Sequence, residues 1–161
     1  MRIGVDVLAI GELDRLHTRG WFRQYTYDRD ELALAQSLSP SRAREFLAGR
    51  FAAKEAVLKV LGTGFGKGIS PAQVRVLRDN RSAPVVQLGG AAARRAAELG
   101  LGTIAVSIAH KDECVVAVAI GGAPHDDAAL GPARAAAATQ TAVQKIARSK
   151  VGIGKARNAN V

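Results

Sequence analysis

Apolar residues run from Ile3 to Leu8, interrupted only at Asp6, and this pattern predicts a buried strand carrying one carboxylate. Gly11 to Leu16 then opens a short helix or turn. Asp28-Arg-Asp-Glu31 places acids in a helix's first turn. Ser39-Pro-Ser-Arg42 starts a long helix that runs through Leu61, with Ser39 or Ser41 as the capping residue. Gly62, Gly64, Gly66 and Gly68 end it. Val74 to Leu77 and Val85 to Leu88 predict two strands joined at Asp79-Asn-Arg-Ser82, and Ala91 to Leu99 an amphipathic helix closed by Gly100. Thr103 to Ala109 and Cys114 to Ile120 complete the set as strands, linked by His110-Lys-Asp-Glu113.

Beyond Gly121 the pattern changes. The composition turns to Gly, Pro, Ala and small polar residues, with a weak helix predicted between Ala133 and Arg148. Its Ala135, Ala138, Ala142 and Ile146 stripe would bury little, and 152–161 reads as disordered. The division is a domain over 1–122 and a basic, Ala-rich extension over 123–161. A chain of 161 residues can bury one substantial core, and its scarcity of aromatics suits helices packed on a sheet, an α+β arrangement.

Composition narrows the class less than the pattern does. The formal charge is +9, compatible with any acidic partner. The extension carries six basic residues against two acidic ones, so it is the more basic part. A single cysteine, Cys114, excludes an intrachain disulfide, and three scattered histidines make no common zinc spacing. The first apolar run is too short to span a bilayer and lacks a cleavage pattern, so the expectation is a cytoplasmic protein without membrane or nucleic-acid partners. Base-stacking aromatics are few, and no helix gathers its arginines on one face.

Chemistry concentrates in Phe46-Leu-Ala-Gly-Arg-Phe-Ala-Ala-Lys-Glu-Ala-Val-Leu-Lys-Val-Leu-Gly-Thr-Gly64. On a helix, Ala48, Ala52, Glu55 and Lys59 fall within about 60° of one another, opposite Phe46, Ala53, Val57 and Val60. Small residues beside a charged pair leave room for a ligand that tolerates both a carboxylate and an ammonium, such as a phosphate with a metal ion. An i,i+4 salt bridge is the ordinary reading of Glu55 and Lys59. The apolar residues on both sides of the pair favour a cleft instead. Gly62 is first of all a helix C-cap; the loop follows a helix C-terminus and lacks Gly-Lys-Ser/Thr, so it is no P-loop, and phosphate there would need Lys59, Lys67 or a metal.

With these residues in place the chain resembles the holo-acyl-carrier-protein synthases, the small 4'-phosphopantetheinyl transferases. Gly4-Val-Asp-Val7, Phe46 to Gly64 and Val106-Ser-Ile-Ala-His110 match three signatures in order and spacing over residues 1 to 122. The resemblance implies a small antiparallel-rich sheet packed on a long central helix, and commonly a homotrimer with sites between subunits. It implies transfer of the 4'-phosphopantetheine of coenzyme A to a serine of an apo acyl or peptidyl carrier protein, with Mg2+, releasing adenosine 3',5'-bisphosphate. The carrier would belong to fatty-acid, polyketide or peptide biosynthesis. Asp6 and Glu55 correspond to metal-binding positions, and Glu55 and Lys59 to catalytic ones. Arg50, Lys59, Gly62, Thr63, Gly64 and His110 correspond to positions around the coenzyme. A catalytically silent coenzyme- or carrier-binding module is the alternative. One departure bears on carrier choice: Glu12 stands near a docking arginine of the family, with Arg15 one turn on.

Overall fold

The computed structural model describes residues 1–66 and 68–124. The expected extension and Lys67 therefore lie outside the described residues, apart from 123–124. The order is β1 (Arg2–Ala9), a 3-10 turn (Ile10–Leu13), α1 (Asp14–His17), α2 (Gly20–Thr26), α3 (Arg29–Gln36) and α4 (Pro40–Leu61). A second 3-10 turn (Pro71–Gln73) leads to β2 (Val74–Arg78), β3 (Pro84–Leu88), α5 (Gly90–Glu98), β4 (Ile104–Lys111) and β5 (Cys114–Gly121).

The strands form two sheets rather than one. A three-stranded antiparallel sheet has the order β1-β5-β4, and β2 pairs with β3 as a separate antiparallel ribbon. Alternation along β1 turns Gly4 and Leu8 inward and leaves Ile3, Val5 and Val7 exposed. Asp6 shares the inward face, which puts its carboxylate against α4.

The long helix is the axis of the core. Ala48, Ala52, Ala53, Ala56, Val57, Leu58, Val60 and Leu61 are fully buried. The three-stranded sheet lies close on one side of it: a Cβ at Gly4 would run into the Ala56 carbonyl oxygen, so only glycine permits β1 to cross there. Gly49 likewise seats the His110 imidazole, 3.0 Å from where a Cβ would be. The room expected beside Ala48 and Ala52 is thus taken up by the protein's own packing; small side chains on α4 let a sheet approach, not a ligand.

Ends of elements follow local chemistry. Ser39 is the N-cap of α4, in extended backbone before Pro40, and makes no side-chain cap bond. Gly62 ends the helix at φ 76°, with the Thr63 amide donating back to the Leu58 carbonyl at 3.1 Å. The last carbonyls are covered by guanidiniums, Arg2 on Val60 and Arg95 on Leu61. The link expected over His110 to Glu113 is shorter than its pattern implied. β4 continues through Lys111, His110 pairs with Val115, and only Asp112 and Glu113 turn, Asp112 at φ 53°.

Candidate functional site

Where β1 crosses the C-terminal half of α4, the chain brings together Asp6, Glu55 and Lys59. Lys59 Nζ donates to Asp6 Oδ1 at 2.8 Å and to the Val5 carbonyl at 2.8 Å. Lys59 does not pair with Glu55: among the described residues no ion pair joins them, so the i,i+4 salt bridge is replaced by one across to the strand. The site opens on one side, with the Lys59 side chain 45% exposed and Asp6 15%.

Glu55 is half-buried on this opening. Burial and the negative charge of Asp6 push its carboxyl above the ordinary carboxylate range, and Lys59 partly offsets them. Two carboxylates held near each other with one ammonium form a donor set suited to a small, hard divalent cation. Such an ion takes one or two protein carboxylates and completes its octahedron with water and phosphate oxygens. Among the described residues no group of three or more His, Cys, Asp or Glu is placed to hold a metal by itself, so substrate oxygens would have to share the task.

A second polar feature lies nearer the start of α4. Arg50 is buried, and among the described residues its Nε and Nη2 have no hydrogen-bond partner. Its guanidinium sits 4.4 Å from the centre of the Phe46 ring, and Arg78 at the end of β2 approaches the same ring at 5.5 Å. Burial, and then the neighbouring Arg78 charge, lower the Arg50 pKa to about 10. Two guanidiniums on one ring, one with orphaned donors, call for an anion. Arg78 carried no signal in the sequence, because an arginine at a strand end reads as a solvated residue.

The remaining expected positions are spread along the helix. His110 donates from Nε2 to the Glu45 carbonyl at 3.3 Å, over Gly49, and so lies nearer the start of α4 than the Asp6–Lys59 pair. Thr63 Oγ1 reaches back to Leu58 O at 3.5 Å, while Gly64 has open space where a side chain would stand. Gly62 to Gly64 therefore serve as the C-cap and leave an unobstructed backbone just past Lys59. Another residue the sequence did not single out is Lys54. It is wholly buried, 2.8 Å from the equally buried Glu31.

The first two signatures meet where Lys59 reaches Asp6, and the third sets His110 over Gly49 of the second. The model of the 4'-phosphopantetheinyl transferase superfamily matches residues 2–119. The chain belongs to that family. It is 35% identical over 120 residues to a holo-[acyl-carrier-protein] synthase of Desulfovibrio desulfuricans, covering 73% of this chain and 94% of that one. It is 39% identical, with the same coverage, to the synthase of Halorhodospira halophila. Among solved structures, the holo-(acyl-carrier-protein) synthase of Bacillus anthracis in complex with CoA (3',5'-ADP) superimposes with a TM-score of 0.64. It is 30% identical and covers 76% of this chain and 96% of that one. The α+β fold expected from the resemblance is the fold observed. Among the described residues no helix is long and apolar enough to cross a membrane.

Proposed function

We infer that this family member transfers the 4'-phosphopantetheine of coenzyme A to a serine hydroxyl of an apo acyl or peptidyl carrier protein. The convergence of Asp6, Glu55 and Lys59 at the β1–α4 crossing carries the reading. The serine oxygen attacks the pantetheine-side phosphorus, the bond from that phosphorus to the bridging oxygen breaks, and adenosine 3',5'-bisphosphate leaves. Glu55 takes the serine proton. Its raised pKa makes it a better acceptor than an ordinary surface glutamate.

Lys59 has three N–H donors, of which two are spent on Asp6 and the Val5 carbonyl. The third has no partner among the described residues and suits a pyrophosphate oxygen, where it balances charge on the leaving group. Asp6 fixes the lysine and, with Glu55, would hold Mg2+, which supplies further neutralisation of the pyrophosphate when bound. The orphaned donors of Arg50, with Arg78 beside it, suit the phosphates at the adenosine end of coenzyme A, and His110, over Gly49, is a further position for the coenzyme. The open backbone at Gly64 suits close approach of the pyrophosphate.

The assembly is a homotrimer on this reading. Ile3, Val5 and Val7 stand exposed on β1, while their register neighbours Val116, Val118 and Ile120 on β5 are buried. That exposed β1 stripe fits burial against other copies of the chain. The setting is cytosolic, and the carrier belongs to fatty-acid, polyketide or peptide biosynthesis. The division into a transferase domain over 1–122 and a basic extension over 123–161 is carried by the sequence pattern.

Intact mass tests the reaction directly. A panel of apo carrier proteins incubated with coenzyme A and Mg2+ should show one member gaining a single phosphopantetheine, with the gain abolished by chelator. No gain on any carrier despite measurable coenzyme A binding would turn the reading toward a silent binding module.

A further inference from the structure

Past α4 the chain turns back on the helix it has just left. Gly62 closes the helix, and the Thr63 and Gly64 amides both donate to the Leu58 carbonyl, at 3.1 and 3.5 Å. Phe65 then stacks on Phe51, with ring centroids 5.1 Å apart and planes 25° apart. Phe51 is itself in contact with the buried Phe22 at 6.2 Å, so the ring that receives Phe65 is a fixed surface. Phe51 stands one turn before Glu55 and about 40° from it around α4, with Leu58 on the same flank. The loop therefore runs back beside the face that carries Glu55 and Lys59.

The ring stack is the main thing that holds the loop in this course. Among the described residues the Phe65 and Gly66 amides make no hydrogen bond. A Cβ at Gly64 or Gly66 would meet nothing within 4 Å, so the backbone on either side of Phe65 is bare. φ is 64° at Gly64 and 88° at Gly66, while Phe65 between them is not left-handed. Alternation of this kind turns successive N–H groups toward a shared concavity that suits an anion. The negative end of the α4 dipole, which would oppose an anion here, is offset by Arg2 on the Val60 carbonyl and Arg95 on the Leu61 carbonyl. Glycine on both sides leaves the backbone free to rotate out of the arrangement, and only the Phe65 ring secures it.

We propose that Phe65 is a positioning residue for the reaction: its stack on Phe51 holds the Phe65 and Gly66 amides toward the pantetheine-side phosphate of coenzyme A, the group that is transferred. The proposal rests on the transferase reading above and assigns the loop to one part of the substrate. The ring touches no reacting atom and acts through the backbone it anchors. Two uncharged donors then share the transferred phosphate with Lys59 and keep its phosphorus aligned with a serine at Glu55.

Coenzyme A and adenosine 3',5'-bisphosphate separate this role from a general loss of structure, because the bisphosphate lacks the pantetheine-side phosphate. In titration calorimetry of the full chain with Mg2+, Phe65→Ala should weaken coenzyme A about tenfold and the bisphosphate less than about twofold. kcat/KM for coenzyme A should fall at least as far, with the carrier KM within about twofold of wild type. Phe65→Tyr keeps the ring and should restore both. Phe65→Leu keeps apolar bulk without a ring face and should show the same split between the two ligands at about threefold, so the reading does not hang on the folding of the alanine variant. Phe51→Ala should reproduce the loss, and the double variant should lose little more than either alone, since each removes the same stack. Coenzyme A affinity and turnover of Phe65→Ala within about twofold of wild type overturn the proposal and leave the transferase reading standing. So does equal weakening of coenzyme A and the bisphosphate, or full addition of the two losses in the double variant. A wild-type chain that binds no coenzyme A and loads no carrier overturns both.

Discussion

Two lysine–carboxylate pairs stand five positions apart on α4, each at 2.8 Å, and they have opposite fates. Lys54 and Glu31 are both wholly buried. Lys54 Nζ also donates to the Pro71 and Val74 carbonyls, and Glu31 also accepts from the Asp28 and Val76 amides. All three ammonium donors of Lys54 and both oxygens of Glu31 are engaged in joining α3, α4 and β2. Among the described residues, half-exposed Lys59 keeps one ammonium donor without a partner, and Glu55 beside it makes no ion pair. An ion pair becomes scaffold when the protein satisfies all of it, and a site when one side is left for something else.

The strongest test removes one lysine from each pair. Lys54→Met leaves the Glu31 carboxylate buried with its counter-charge gone and should cost about 3–5 kcal/mol of unfolding free energy in urea. Lys59→Met, at a half-exposed pair, should cost at most about 1 kcal/mol. Equal losses would erase the distinction between the pairs.

The reverse holds for chemistry. Glu55→Gln should lower the rate of carrier loading by roughly 1,000-fold, as expected for loss of a positioned proton acceptor. Its stability should hold, because a half-buried carboxylate repelled by Asp6 is being removed. Loading within a few-fold of wild type would dismiss Glu55 from the reaction.

β1 ties this site to the outer face. The Val5 carbonyl receives Lys59 while the Val5 side chain points away from α4, into the exposed stripe. Val5→Lys should therefore leave the monomer folded, convert the assembly to monomers in light scattering, and slow loading by about tenfold through lost subunit contacts. A wild-type chain that is already monomeric would remove the trimer from the account.

Legibility in the sequence followed the same division. Strands announced themselves by apolar runs, α4 by its length and its terminal glycine, and Asp6 by being a carboxylate where a strand should have none. Asp6, Glu55 and Lys59 were found because each broke a local pattern. α2 was not, since Arg19 offers no capping bond and a seven-residue helix has too few turns to show a period. Lys54 could not be distinguished from a solvated lysine, because its partner Glu31 comes from another helix and only tertiary packing joins them. The misjudged room at Ala48 and Ala52 has the same origin: periodicity shows a face of small residues but not what fills it.

The subtlest difference between the pairs is electrostatic, and it can be read without turnover. Burial is the largest influence raising the Glu55 pKa, the Asp6 charge is second, and Lys59 opposes both. Asp6→Asn removes a repelling charge and frees Lys59 from its partner, so both changes favour ionised Glu55 and its titration should move down. Lys59→Met removes the attraction and should move it up. Carboxyl NMR of the two variants gives the signs. Because the ionised form accepts the serine proton, kcat/KM rises with pH through the Glu55 pKa, and the acid limb of any residual activity in Lys59→Met should lie at higher pH than in wild type. Lys54→Arg, sealed in its own pair, should leave the Glu55 titration where it was. If Glu55 titrates alike in Asp6→Asn and Lys59→Met, the three groups do not share one site, and the contrast between a closed pair and an open one fails at its chemical end.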